Sequence, residues 1–346
     1  MSDSHATAPP QRSDGPPARD GSGGKSPYYI LATSALADEH GLVLKQDDTF
    51  AVFDHFGDIK PTGLGEEGLY HEGTRYLSCL LLGLDYGRPM FLSSTVRQDN
   101  DLLTVDLTNP DISRGGAVVV PRGSLHLART KVLWGGACHE LLHLRNYGTA
   151  PVSVSLALHF EADFADIFEV RGTRRPRRGD YLPEEVRPDG VTLGYRGLDG
   201  VTRRTRLTCT PAPDEVNRSD VRFNLNLAPQ GEATVELMIA CDRDGVEASR
   251  LCFEKALAEA TASPARARRD GCWVHASNAQ FNAWSDRAAA DVLMMTTRTP
   301  HGPYPYAGVP WFNCPFGRDG IITALECLWL RPVLARGVLA LSLIHI

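Results

Sequence analysis

The feature that most constrains this chain is a long succession of short apolar runs between Tyr28 and about Asp242, each closed by polar turn residues. Residues 152–160 set Val, Val, Leu and Leu against small or polar neighbours at every second position, the period of a strand with one buried face. Comparable runs occupy 28–31, 41–45, 49–53, 76–84, 102–107, 117–120, 125–133, 137–146, 191–195, 203–210, 221–227 and 233–240. Gln46-Asp47-Asp48, Asp189-Gly190, Asp199-Gly200 and Pro229-Gln230-Gly231 supply turns between them. Strands joined by short turns pair with antiparallel neighbours, so a large antiparallel β-sandwich or barrel is predicted over 27–245.

The character changes after residue 246. Ala256 to Ala260 favour helix, and 246–276 reads as a helical linker. In 277–295, Phe281, Trp284, Ala288, Val292 and Met295 share one helical face, a stripe expected to pack into a core. Residues 299–310, TPHGPYPYAGVP, read as a rigid Pro/Gly/Tyr loop. Then come Trp311, Phe312, Asn313, Cys314, Pro315, Phe316, Gly317, Arg318, Asp319 and Gly320, ahead of the apolar run 321–330. Ile321, Ile322, Leu325, Leu328 and Trp329 follow helical spacing with Glu326 the lone charge, so a helix buried on most sides is predicted, with Asp319 as its N-cap. A carboxylate and a guanidinium beside aromatic rings suit a sugar pocket: the charges bond hydroxyls and the flat faces stack on C–H surface. The alternative is that Asp319 only caps its helix and Arg318 only pairs with a carboxylate elsewhere.

The 346 residues leave room for two domains, and the net charge of −6 argues against a general nucleic-acid binder. The basic run 171–178 has no interleaved stacking aromatics and reads as a solvated loop. None of the eight cysteines forms a C-x-x-C pair, and several lie in apolar runs, where cysteine packs as a small hydrophobe. With no secretory signal and no run long enough to span a bilayer, a reduced, cytoplasmic protein with no membrane partner is expected. Residues 1–26 have almost no apolar side chains and are expected to form a disordered tail.

Two stretches are too polar for a plain sandwich core. Residues 68–77 contain His71, Glu72 and Arg75; residues 160–172 contain Asp163, Asp166, Glu169 and Arg171 around Phe164, Ile167 and Phe168. They suit either the rim of a carbohydrate cleft at a domain interface or a lock between two domains. No metal site is assigned to Asp163, Asp166 and Glu169, because hard-cation loops use more oxygen donors and a glycine turn. Both stretches, together with WFNCPFGRDGIITALECLWL and the later ARGVL, resemble the bacterial amylo-α-1,6-glucosidase (glycogen debranching enzyme) family of the six-hairpin (α/α) glycosidase superfamily.

That resemblance implies a multidomain chain: a β-sandwich followed by the first helices of an (α/α) toroid within 277–340. It implies Arg318 and Asp319 as ligands of the non-reducing glucose, with Trp311 and Phe312 as stacking walls, and no cofactor. Hydrolysis with inversion by two carboxylates is implied, both on later parts of the toroid; Asp319 as one of them is the minority alternative. Residues 277–340 supply too few helices for a toroid, and 341–346 look like a translated sequencing adapter. A truncated piece of a longer reading frame, inactive alone, is therefore expected. The partner implied is a glucan or small glycoside. Rival readings are a hydrolase of mannosylglycerate or glucosylglycerate and a non-catalytic carbohydrate-binding sandwich.

Overall fold

The alternating runs become strands in a computed structural model that describes residues 41–60, 65–85, 87–269 and 271–344. The predicted tail 1–26 and the predicted strand 28–31 lie outside these residues. Leu42–Gln46, Thr49–Phe53, Gly68–His71 and Thr74–Leu77 form a meander in which each strand pairs with its sequence neighbour. The main sheet has eight strands in the order Asp180–Arg187, Gly190–Arg196, Thr202–Thr210, Glu232–Arg243, Ala137–Asn146, Leu125–Trp134, Leu103–Thr108 and Met90–Val96. A smaller sheet, ordered Glu215–Val216, Asp220–Leu227, Val152–Glu161 and Cys79–Leu84, faces it. Inward residues of the main sheet (Leu103, Leu127, Leu142, Leu237) meet those of the smaller sheet (Leu82, Leu156, Leu158, Phe223) in one core, which Leu44, Phe53 and Leu69 of the meander join. The predicted antiparallel sandwich is the observed architecture.

The strand predicted over 76–84 is in fact two strands belonging to different sheets. The break is Ser78, whose N–H and hydroxyl both turn to the Glu161 carbonyl, at 2.8 and 3.2 Å. Met90–Val96 and Asp180–Arg187 carry no alternating signal because they are the two edges of the main sheet. Edge strands are largely solvated, and Pro183 sits beside a register shift between Leu182 and Glu185, a common way to blunt an edge.

The described residues also form five helices: α1 Ile167–Val170, α2 Phe253–Arg269, α3 Ala279–Met295, α4 Gly317–Glu326 and α5 Pro332–Ile344. Phe253, Ala256 and Ala260 of α2 pack with Val132 on the outer face of the main sheet. The predicted loop 299–310 is partly a hairpin, Thr296–Thr299 with Gly302–Pro305. The stripe on α3 is not a core: Trp284 is 67% exposed and Phe281 39%. Likewise α4 buries only Gly320 and Ala324. The helix predicted through 330 ends at Glu326; Leu325 is 69% exposed, and Trp329, in the turn beyond the helix, is 64% exposed. Among the described residues no helix is long and apolar enough to cross a membrane.

The pleat points Arg129, Lys131 and Glu140 into the sandwich, with Lys131 directly opposite Glu140. All three are fully buried. Arg129 donates from Nε to Glu140 Oε1 at 2.7 Å, and Lys131 donates to the other oxygen. The Arg129 Nη1 group reaches Asp58 and the Phe56 carbonyl in the loop that follows Thr49–Phe53. Burial pushes the Glu140 carboxyl up, but Arg129 and Lys131 outweigh it and hold it below the ordinary value. Removing one member leaves the others charged and unmatched in the core, which costs about 3–5 kcal/mol. Glu140→Ala is therefore expected to lower the urea unfolding free energy by about that amount; a loss under about 1 kcal/mol would show the cluster to be dispensable.

Candidate functional site

The hairpin Thr296–Pro305 sets the position of α4. Tyr304 is buried against Gly320, where an added Cβ would lie 2.4 Å from the phenol oxygen, and its hydroxyl donates to the Phe316 carbonyl at 3.2 Å. Only a residue without a side chain admits that approach. Between hairpin and helix the chain closes on itself: Phe312 N–H donates to Gly308 O at 2.8 Å, and Gly308 N–H returns to Phe312 O at 3.1 Å. Trp311 is half-buried there and Phe312 is exposed.

The helix starts earlier than predicted. Phe316 stands at the N-cap with no side-chain capping bond, which places Asp319 third inside the helix rather than at its cap. A carboxylate in the first turn still faces the positive end of the helix dipole. Arg318 is 75% exposed at its side chain, 3.7 Å from Asp319 Oδ2, and its guanidinium lies 5.7 Å from the Phe316 ring centre. The couple is open, not sealed inside. Asp319 Oδ2 and both side-chain polar atoms of Asn313 are shielded from solvent without a hydrogen-bond partner. Sequence reasoning passed over Asn313; its place between Phe312 and Phe316 was the available signal.

The six polar residues of the sandwich are each tied down. Arg75 grips Asp163 with Nε at 3.1 Å and with Nη2. Asp166 caps α1, accepting from Phe168 N–H at 2.8 Å and Glu169 N–H at 3.0 Å, while Glu169 Oε2 accepts from Asp166 N–H at 3.0 Å. This reciprocal box stabilises a helix of one turn. Asp166 also pairs with Arg175 at 2.6 Å and Glu169 with Arg178 at 3.1 Å. His71 Nδ1 lies 2.8 Å from the Thr49 hydroxyl, and burial lowers its pKa. Glu72, in a turn with φ of 46° followed by Gly73 at 73°, pairs with Arg243.

This loop meets the aromatic segment. Ile167, Val170 and Val309 pack on Phe50, Val52 and Tyr70, and the Arg171 guanidinium lies 5.3 Å from the Phe312 ring centre. A second seam runs through the turn at Asp47 and Asp48, read from the sequence only as a turn. Lys45 Nζ donates to Thr297 Oγ1 at 2.9 Å and to Asp47 O at 2.7 Å; Arg298 Nη2 reaches Asp47 at 2.8 Å; Tyr306 OH donates to Asp48 at 2.7 Å. A cavity of about 200 Å³ adjoins it, lined by Lys45, Asn100, Trp134, Met294 and Arg298 among others.

A sandwich of this kind, whose polar loops bear on an aromatic Arg-Asp segment, is here part of a carbohydrate-active enzyme family. The profile describing the N-terminal domain of some glycogen debranching enzymes matches residues 44–238, more than half the chain, and the chain belongs to that family. Among solved structures, a provisionally assigned kojibiose phosphorylase from the human microbiome shares 9% identity at a TM-score of 0.38, over 74% of this chain and 36% of that one. The chain thus spans 36% of that protein's length. A provisionally assigned aldose 1-epimerase from Escherichia coli K12 shares 11% identity at a TM-score of 0.33, over 59% and 99%. A galactose mutarotase related enzyme from Lactobacillus acidophilus shares 9% identity at a TM-score of 0.33, over 61% and 100%. No curated protein matches.

The seam makes a pH prediction. Burial lowers Lys45 to about 8 from 10.5, with Asp47 and Asp48 opposing. The unfolded chain therefore binds this proton more tightly, and stability rises with pH wherever it does so. The cost of burying the charge is fully present below about 8 and is relieved as pH rises from there toward 10.5. The melting midpoint of the wild type is expected to gain on that of Lys45→Met across this window; a constant difference would contradict the assignment.

Proposed function

We propose that this chain is the N-terminal part of an amylo-α-1,6-glucosidase-like glycoside hydrolase acting on the branch linkages of glycogen or a related glucan. On this reading the sandwich domain spans 27–245, 246–276 link it, and the catalytic domain starts within 277–340. Arg318 and Asp319 bond the hydroxyls of the terminal glucose, and Trp311 and Phe312 are its apolar walls. The observation that carries the site is a set of shielded polar atoms without hydrogen-bond partners among the described residues, Asn313 Oδ1 and Nδ2 and Asp319 Oδ2, the last 3.7 Å from the exposed Arg318 guanidinium. Buried polar groups are nearly always bonded, and sugar hydroxyls both donate and accept. The membership of residues 44–238 in a debranching-enzyme domain family supports the substrate class.

The sandwich side acts through position. His71, Glu72, Arg75, Asp163, Asp166 and Glu169 hold the loop of α1 against the aromatic segment, so that the cleft has a fixed rim. Inverting hydrolysis needs a general acid and an opposed general base far enough apart to admit a water. Asp319, on a helix start beside its own arginine, serves binding in this scheme, and the acid and base come from other segments of the full enzyme. The eight cysteines are all free thiols, four of them buried, which suits a reducing cytoplasmic compartment.

In the full-length enzyme, Asp319→Asn should cut kcat/KM on branched limit dextrin by about a hundredfold, as expected for losing charge-assisted hydrogen bonds to a substrate. The melting midpoint should stay unchanged. Near wild-type turnover in that variant would defeat the assignment.

A further inference from the structure

Arg171 is bound differently from its neighbours in the same basic run. Arg175 and Arg178 are paired with Asp166 and Glu169. The Arg171 guanidinium instead lies 6.0 Å from the ring centre of Phe168 and 5.3 Å from that of Phe312. No hydrogen bond or ion pair from its side chain occurs among the described residues. Both rings stay open to solvent, Phe168 at 53% and Phe312 at 42% exposure.

A cation held against ring faces spends its π face there and keeps the in-plane N–H edge for another acceptor. The two rings come from separate parts of the chain, Phe168 on α1 of the sandwich and Phe312 on the segment before α4. Both lie near Arg171, and the two segments share a base: Ile167 and Val170 of one and Val309 of the other pack on Phe50, Val52 and Tyr70. Apolar faces beside a row of donors match a pyranose, with C–H surface on one side and hydroxyl acceptors at the edge. The loop's carboxylates Asp163, Asp166 and Glu169 are each taken by another arginine, Arg75, Arg175 and Arg178, so none of them occupies the Arg171 edge.

We propose that Arg171, held between Phe168 and Phe312, binds a neutral sugar unit adjacent to the one gripped by Arg318 and Asp319, so that the sandwich itself recognises the longer part of a glucan. This rests on the glucosidase reading above. It makes Arg171 a determinant of chain-length preference, contributed across the domain junction.

The test is titration calorimetry of the full-length protein with glucose and with maltotetraose. Arg171→Ala should weaken maltotetraose about tenfold, the loss of one charged hydrogen-bonding group, and leave glucose unchanged. Arg171→Lys should recover only part, because an ammonium lacks the planar fork. Phe168→Ala should weaken maltotetraose in the same direction. Unchanged maltotetraose binding in Arg171→Ala, or equal losses for both sugars, would overturn the proposal. Should that variant fail to fold, Arg171→Lys is read in its place, and wild-type affinity there overturns it equally. If Asp319→Asn loses glucose while Arg171→Ala keeps maltotetraose, only the Arg171 assignment falls; if the wild type binds neither sugar, both readings fall.

Discussion

Everything in this structure hangs on a group of charges placed where a sandwich normally keeps only hydrocarbon. Arg129, Lys131 and Glu140 project from neighbouring strands into the core, and their charges balance only because Asp58 arrives from outside the sheet. Asp58 is also bonded by Leu82 N–H at 3.2 Å and by Arg88 at 2.9 Å, which joins the smaller sheet to the same group. Its loop is held by Asp54, which accepts from Phe56 and Asp58 N–H groups at 2.9 Å each. Gly57, with φ of 75°, lets the backbone come within contact of Lys131. A buried cluster of this kind adds little net stability compared with hydrocarbon, but it penalises every arrangement that leaves a member unmatched. Its effect here is to specify where the meander sits on the sandwich.

Once the meander is placed, the rest follows through polar contacts. Its first turn carries Asp47 and Asp48, which receive Arg298, Thr297 and Tyr306 from the C-terminal hairpin. Its third and fourth strands carry Arg75, which holds the α1 loop through Asp163. Both routes converge on residues 306–319, so the candidate sugar segment is positioned from two sides by the sandwich. The contacts between halves combine hydrogen bonds and ion pairs around Asp47 and Asp48 with an apolar patch around Val309. Interfaces of that composition are specific in register and modest in strength.

The apolar residues of α4 show the limit of reading burial from pattern. Their spacing implies a helix through 330, yet α4 ends at Glu326, and Ile321, Leu325 and the following Trp329 stand open to solvent. Periodicity reports which face of a helix is apolar and says nothing of what covers it. The same reasoning misjudged Asp319: an acidic residue near a helix start is compatible with the N-cap and with any place in the first turn, because both are favoured by the same unbonded N–H groups and dipole.

From its residues alone the chain determined that it would be a large antiparallel sandwich with helices after it, because strand alternation and turn chemistry are local and the pattern is long. The resemblance carried by a few polar motifs pointed to the debranching-enzyme family. Tertiary structure decided which strands share a sheet, since the break at Ser78 and the solvated edge strands depend on neighbours distant in sequence. It also decided that Asp163, Asp166 and Glu169 face Arg75, Arg175 and Arg178, and that Arg171 meets Phe312. The reason is the same in each case: a charge takes its role from the partner facing it, and such partners lie up to hundreds of residues away along the chain.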